Sequence, residues 1–107
     1  MTANAPHDAW WVYLVGCGDR SIYVGVACDV ARRIAEHRDA GARAARYLRG
    51  RGPLRLLAAR PVGERGDALS VEYQLKQLPA ARKRALTVKP EDLDQLIASA
   101  LAKRAED

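Results

Sequence analysis

Residues 10–26 read WWVYLVGCGDRSIYVGV, and this stretch decides the fold. β-Branched and aromatic side chains dominate both ends of it, and such residues favour strands. Gly16 and Gly18 lie between the two runs, where a tight turn needs residues with wide conformational freedom. Two strand-like runs separated by a short glycine-containing segment predict a β-hairpin, with strands over 10–15 and 21–26.

Helix signals and one more strand follow the hairpin. Asp29 can cap a helix that runs to about residue 40, and residues 42–49 can continue as a short basic helix. Residues 54–62 predict the third strand. The remaining helices are predicted over 67–77, 79–87 and 90–104. The order ββα(α)βααα predicts a small α+β domain, with a three-stranded antiparallel or mixed sheet flanked by helices.

Length and composition limit the class of protein. The chain has 107 residues, of which 49% are hydrophobic and 29% charged, as expected for one globular domain. It lacks an apolar run near the roughly 20 residues that span a bilayer. The N-terminus lacks the features of a signal peptide. We therefore expect a cytoplasmic protein with no membrane association. It would consist of a flexible tail (1–9), a domain (10–88) and an amphipathic helix packed on that domain (89–107).

The charge balance indicates an anionic partner. Lysine and arginine number 18 against 13 acidic residues, and 14 of the 18 are arginine. Between residues 32 and 65, ten arginines accompany three acidic residues. The planar guanidinium group fits phosphate oxygens, so this concentration favours nucleic acid as the partner. An arginine-rich composition that only supplies solvated surface charge would give the same count.

The two cysteines do not predict a metal site. Cys17 and Cys28 form no CxxC pair, and the two histidines are far apart in the sequence. Both cysteines lie in or beside apolar stretches, so we expect buried free thiols in a reducing compartment.

Five side chains have types and spacings that suit phosphodiester hydrolysis. Tyr13 and Tyr23 lie in the two hairpin strands, Arg33 and His37 are four residues apart on the next helix, and Glu72 lies on a later helix. The reaction needs an activated water, neutralised phosphate charge and a stabilised leaving group. Each residue alone also has an ordinary explanation. The tyrosines can fill a core, and Arg33 and His37 can be surface groups. Glu72 can form an ion pair with Lys76, four residues further along its helix.

The motifs taken together resemble a GIY-YIG endonuclease domain. The two signature triplets are WVY and YVG, at 11–13 and 23–25. The small stand-alone bacterial members are similar over about residues 10–88. Their patterns VYLxxC, YxGxxxDxxRRxxxH, GAxxxxYxRGRxP and ExxxK correspond here to 12–17, 23–37, 41–53 and 72–76. The chain departs from the family pattern at Trp11, where the name has glycine, and at Ala27, where threonine is frequent.

The resemblance implies a metal-dependent DNA endonuclease. Glu72 would bind Mg²⁺ or Mn²⁺, and Arg33 would stabilise charge that develops on the phosphate. A tyrosine would be the general base; Tyr23 is favoured, with Tyr13 in support or in its place. His37 would orient the water or relay the proton.

The same resemblance and the basic segment supply a candidate nucleic-acid surface. Tyr47 can stack on a base or sugar, or can anchor the segment structurally. Gly25 would leave room for a close approach of backbone or substrate. The residues expected to contact nucleic acid are Gly25, Arg32, Arg43, Arg46, Tyr47, Arg49 and Arg51. A single domain predicts low specificity, or a protein partner that supplies it. The alternatives are a catalytically inactive nucleic-acid-binding module and a partner-dependent subunit.

Overall fold

The computed structural model describes residues 9–39 and 44–106. Its sheet has three strands, β1 (Trp10–Gly16), β2 (Ile22–Ala27) and β3 (Arg55–Gly63). β1 is central, and it is antiparallel to both neighbours in the order β2-β1-β3. The predicted α+β fold is confirmed, and the sheet is antiparallel throughout. The N-terminal tail lies almost entirely outside the described residues, as does the predicted end of the first helix.

The helices are α1 (Val30–Asp39), α2 (Arg65–Lys76), α3 (Ala80–Val88) and α4 (Pro90–Glu106). Asp29 caps α1, because its Oδ1 accepts the backbone N–H of Arg32 at 3.1 Å. The prediction that α2 begins at Asp67 was wrong by two residues. Glu64 and Asp67 form a capping box, so Asp67 is the third residue of the helix and not its start.

The predicted helix over 42–49 is replaced, in its described part, by one 3₁₀ turn at Arg46–Leu48. The segment then turns at Arg49 and Gly50 and continues without regular secondary structure to β3. Leu48 and Leu54 are buried and fix this segment against the sheet. The cationic side chains of residues 44–54, which we call the strap, therefore extend from an irregular segment and not from one helical face.

The strand alternation divides the interior into two hydrophobic cores. Val12 and Leu14 point to the face covered by α2, α3 and α4, where Leu75 and Leu93 are fully buried. The α4 residues Leu93, Ile97 and Ala100 are part of this core. The opposite face carries the other residues of the central strand; its core contains Tyr13, Val15, Cys17, Ala27, Ile34, Leu48 and Leu54.

The expectation for the cysteines is half right. Both are free; Cys17 is buried, whereas Cys28 is exposed. β2 ends at Ala27, so Cys28 lies in the bend that leads into α1 and leaves the sheet interior. Within the part of the chain that the structure describes, there is no helix with the length and apolar character that a membrane span requires.

Candidate active site

Tyr13 and Tyr23 lie on the same sheet face but at different depths. Tyr13 is on the central strand and is 1% exposed. Tyr23 is on β2 at the edge of the sheet, and it is only partly buried. Their ring centroids are 6.3 Å apart. The two phenols are therefore neighbours, and Tyr23 is the one that borders solvent.

His37 connects α1 to Tyr13. Its Nε2 lies 2.9 Å from the Tyr13 hydroxyl oxygen, and the ring is 2% exposed. The backbone N–H of Ala45 donates to Nδ1 at 3.1 Å, so Nδ1 must carry a lone pair. In the neutral ring the proton is then on Nε2, which donates to the phenol oxygen of Tyr13. This network makes His37 a donor that positions Tyr13 and not a base that takes its proton.

The charge state of His37 follows from its surroundings. Burial lowers the pKa of the imidazole, the Arg33 guanidinium lowers it further, and the Glu36 carboxylate opposes both effects. The folded state therefore keeps His37 neutral at a pH where the unfolded chain takes up a proton.

We expect His37 to make folding pH-dependent. Below about pH 6.5, the ordinary histidine pKa, the unfolded chain binds a proton that the folded chain excludes. The free energy of unfolding should therefore fall as the pH drops from that value towards the lowered pKa. Denaturant melts of wild type and His37→Gln at several pH values measure this loss, which should be smaller in the variant. Equal slopes in the two proteins would contradict the expectation.

Gly25 explains how Tyr13 reaches its position. The two residues are partners across β1 and β2. A Cβ atom at Gly25 would lie 2.4 Å from the hydroxyl oxygen of Tyr13 and 2.5 Å from Cζ. The sequence predicted a close approach at this glycine, and the neighbour is the phenol ring of Tyr13. Gly25 itself is buried beneath that ring, which gives it a role in shaping the site.

Gly25→Ala should displace the Tyr13 ring and break its hydrogen bond to His37. Overpacking of this kind costs about 1–3 kcal/mol of unfolding free energy. Denaturant melts measure the loss, and the ring shifts of Tyr13 in an NMR spectrum report the displacement. Gly52→Ala is the control, because a Cβ there meets no atom within 4 Å. Unchanged stability and unchanged Tyr13 shifts in Gly25→Ala would show that the ring does not limit this position.

Arg33 and Glu72 complete the cluster around Tyr13. Burial raises the pKa of the Tyr13 phenol far above its ordinary value of about 10, and negative charge on Tyr23 or Glu72 raises it further. The Arg33 guanidinium acts in the opposite direction, and it also pairs with Glu36 at 2.8 Å. Tyr23, Arg33 and Glu72 thus act electrostatically on Tyr13, and His37 is hydrogen-bonded to it.

Glu72 is the one carboxylate of this cluster that could ligate a metal. Its side chain is 17% exposed, and Oε2 lies 3.3 Å from the Lys76 ammonium. Among the described residues, no three His, Cys, Asp or Glu side chains come together as a metal-binding group. A single carboxylate suits Mg²⁺ or Mn²⁺, which keep waters and bind substrate phosphate, and does not suit a metal that needs an all-protein cage.

Tyr47 lies beside Tyr23 at the mouth of the site. The two rings stack with centroids 5.8 Å apart, and the Arg51 guanidinium lies 4.2 Å from the Tyr47 centroid. Tyr47 is nevertheless 44% exposed. It therefore both anchors the 3₁₀ segment and presents a ring to solvent, so the two predicted roles are compatible.

The same mouth opens into a cleft of about 300 Å³, lined by Ile22, Tyr23, Val24, Tyr47, Lys76 and Lys83. Sequence reasoning missed Lys83 as a residue of this site. The signal available was the run RKR at 82–84 in a predicted helix, but nothing in the sequence shows that α3 meets the edge of β2.

The predicted arginine contacts differ in their surroundings. Arg32, Arg46 and Arg49 are exposed, and Arg32 pairs with Glu36 at 3.5 Å. Arg51 forms a salt bridge with Asp19 and donates to the Tyr47 carbonyl at 2.7 Å, so it ties the strap to the hairpin turn. Arg43 lies outside the described residues.

Comparison with known proteins agrees with this architecture. The family model described as the GIY-YIG catalytic domain matches residues 9–85. A UPF0213 protein of Cronobacter sakazakii is 45% identical over 80 residues, covering 74% of this chain and 81% of that protein. A UPF0213 protein of Vibrio cholerae is 42% identical over 88 residues, covering 81% and 85%.

One solved structure is also similar, the solution NMR structure of a UPF0213 protein from Bacillus halodurans. It is 35% identical, with a TM-score of 0.47, and the match covers 79% of this chain and 92% of that one. The names of these relatives state no activity. The family match spans both signature strands, α1, the strap, β3, α2 and part of α3, and the chain belongs to the GIY-YIG catalytic-domain family.

Proposed function

We propose that this protein is a metal-dependent endonuclease that hydrolyses phosphodiester bonds in DNA. One observation carries the proposal: Tyr13, Tyr23 and His37 form a cluster with ring centroids 5.8–6.3 Å apart, and Arg33 and Glu72 act on the same phenol. Family membership supports nuclease activity in general. Phosphodiester hydrolysis of this kind needs a base, a cation and a metal-binding carboxylate within reach of one phosphate, and this cluster contains all three.

Tyr23 is the general base in this proposal. Its ring borders the cleft, where a water and a phosphate can enter, whereas Tyr13 is buried and bound to His37. The raised pKa of Tyr13 keeps that phenol protonated, and ionisation of Tyr23 raises it further. The two phenols therefore do not lose protons together, and Tyr13 serves as the fixed neighbour that holds His37 and Tyr23 in place.

Arg33 stabilises the charge that develops on the phosphate oxygens. Its side chain is about one-third exposed and is oriented by the ion pair with Glu36. Glu72 would hold Mg²⁺ or Mn²⁺; when bound, the metal polarises the phosphate and supports the departing oxygen. Lys76 must then release the Glu72 oxygen that it now contacts.

The DNA backbone would lie across the mouth of the cleft. Tyr47 offers a ring for stacking, and the exposed guanidinium groups of Arg32, Arg46 and Arg49 offer positive charge to the phosphates. Phosphate contacts and ring stacking do not read base edges, so they favour recognition of backbone shape over sequence. A protein partner would be needed for high sequence specificity.

A second candidate function is a nucleic-acid-binding module without catalysis. The ion pair between Glu72 and Lys76 favours it, because the ammonium already neutralises the proposed metal ligand. Binding should then persist without any metal requirement.

A cleavage assay separates the two candidates. Wild-type protein is incubated with labelled single strands, duplexes, flaps, forks and RNA, in Mg²⁺, Mn²⁺ or EDTA. The proposal predicts cutting of at least one DNA that stops in EDTA. Binding without cutting of any substrate in either metal would favour the module, and cutting that persists in EDTA would exclude the proposed role of Glu72.

A further inference from the structure

A second groove lies at the end of the sheet where β1 ends and β2 and β3 begin. Its volume is about 390 Å³, and α3 forms one side of it. Its lining combines apolar Ile22 and Leu57 with three arginines, Arg20, Arg55 and Arg84. All three arginines are exposed. Two of them, Arg20 and Arg84, lie outside residues 32–65, the stretch in which the arginines are concentrated.

The charge of this groove is not compensated by acidic residues. No carboxylate belongs to its lining in the described residues, and these three arginines have no ion pair there with a described Asp or Glu. Asp19, the adjacent acid, is bound to Arg51 and Ser21. Surface charges of opposite sign are usually interspersed, so three uncompensated cations around one concavity favour an anionic ligand.

A hydrogen bond from α3 holds the backbone of Arg20 at the side of the groove. Arg20 has a φ of 72°, a conformation uncommon for a residue with a side chain. Arg84 Nη2 donates to the Arg20 carbonyl at 2.7 Å, which joins α3 to the hairpin turn. The remaining N–H groups of that guanidinium, with those of Arg20 and Arg55, are the donors that a phosphate would use.

α3 carries positive charge where a helix tolerates it least. Its first turn has no acidic residue, and Arg82 and Lys83 follow directly on its first two alanines. Cations near a helix N-terminus oppose the helix dipole. Such a placement costs stability, and a bound polyanion would offset that cost.

The groove adjoins the cleft beside Tyr23. Ile22 lines both, and the neighbouring residues Lys83 and Arg84 line the cleft and the groove respectively. A chain of phosphates that passes Tyr23 can therefore continue along α3. We propose that the groove of Arg20, Arg55 and Arg84 binds backbone phosphates of the nucleic-acid strand at a distance from the phosphate that is cut. This rests on the proposed function, and it identifies a second contact that the strand makes.

The test is binding without cleavage. Fluorescence anisotropy in EDTA compares wild type with Arg20→Gln/Arg84→Gln, using a labelled dinucleotide and labelled 20-nucleotide DNA strands and duplexes over a series of salt concentrations. The control is Arg65→Gln/Lys103→Gln, which also removes two positive charges. Arg65 contacts Trp10 at the opposite end of the sheet. Lys103 lies in the last turn of α4, next to Arg104, which pairs with Asp67 in the first turn of α2.

For the 20-nucleotide DNA, the groove variant should lose about tenfold or more in affinity. The slope of log affinity against log salt should become shallower by about 1.4–1.8, as expected for two lost phosphate contacts. The dinucleotide, whose single phosphate cannot occupy both sites, should lose little. The control variant should match wild type on both lengths in slope and differ little in affinity.

Two results would overturn the proposal. A groove variant that behaves like the control on the long DNA shows that the strand does not pass this end of the sheet. An equal loss on both lengths shows that the arginines bind an isolated phosphate and not a distant part of the strand. Because no cleavage is needed, a failure of the proposed endonuclease activity in the cleavage assay is distinguishable from either result.

Discussion

Glu72→Gln should abolish DNA cleavage while leaving DNA binding intact. The amide keeps the size of the side chain but loses the charge that would hold Mg²⁺ or Mn²⁺. A metal supplies several kcal/mol of transition-state stabilisation, and each 1.36 kcal/mol is tenfold in rate, so a loss of about a thousandfold is expected. Binding should be unchanged or slightly tighter, because one negative charge next to the cleft is removed. Single-turnover cleavage and anisotropy, measured on the DNA that wild type cuts, give both quantities.

Glu91→Gln is the matched control for this experiment. Glu91 is exposed in the first turn of α4 and lies outside the candidate site. It loses the same charge and should cleave as wild type does. Circular dichroism establishes that both variants are folded. Cleavage by Glu72→Gln within about threefold of the control would remove this carboxylate from the mechanism, since loss of a metal ligand costs far more.

Tyr23→Phe should reduce cleavage by about 10²–10⁴-fold, the usual contribution of a general base. The ring and its stacking on Tyr47 remain, so DNA binding and folding should change little. These effects follow from the place of Tyr23 at the solvent edge of the cluster.

Tyr13→Phe provides the sharpest comparison, because Tyr13 lies 6.3 Å away in the same cluster. It should lose stability, since His37 keeps a buried N–H without its acceptor, at a cost of about 1–3 kcal/mol. Its cleavage should fall less than that of Tyr23→Phe. Tyr73→Phe, at a tyrosine that is 63% exposed on α2, should be unaffected in both respects. The reverse order, with Tyr13→Phe the inactive protein, would make Tyr13 the base.

Local sequence patterns were enough to predict most of the elements. The hairpin depends on β-forming runs around glycines, and the start of α1 depends on one capping aspartate. These signals act over a few residues, so the sequence displays them directly. The start of α2 was missed, because Glu64 and Asp67 can each serve as a cap. The predicted helix over 42–49 was also wrong in its described part, because burial of Leu48 and Leu54 against the sheet overrides local helix propensity there.

Relations among distant residues could not be obtained in the same way. The spacing of Arg33 and His37 places them on one helix, but the contact of His37 with both Tyr13 and Ala45 depends on how α1 and the strap pack on the sheet. The sequence did not show which protein group lies against Gly25, and the strand register places the Tyr13 ring there. Lys83 and Arg84 became candidates only because α3 crosses the end of β2.

The sequence by itself determined the family, the α+β class and the residue types available for phosphodiester chemistry, because these follow from local patterns and spacing. Only the tertiary structure decided which tyrosine is buried and which borders solvent. It also fixed the tautomer of His37, since the Ala45 amide that occupies Nδ1 arrives from another segment. The physical reason is that burial and hydrogen bonding between segments, on which pKa and access depend, are set by packing and not by neighbours along the chain.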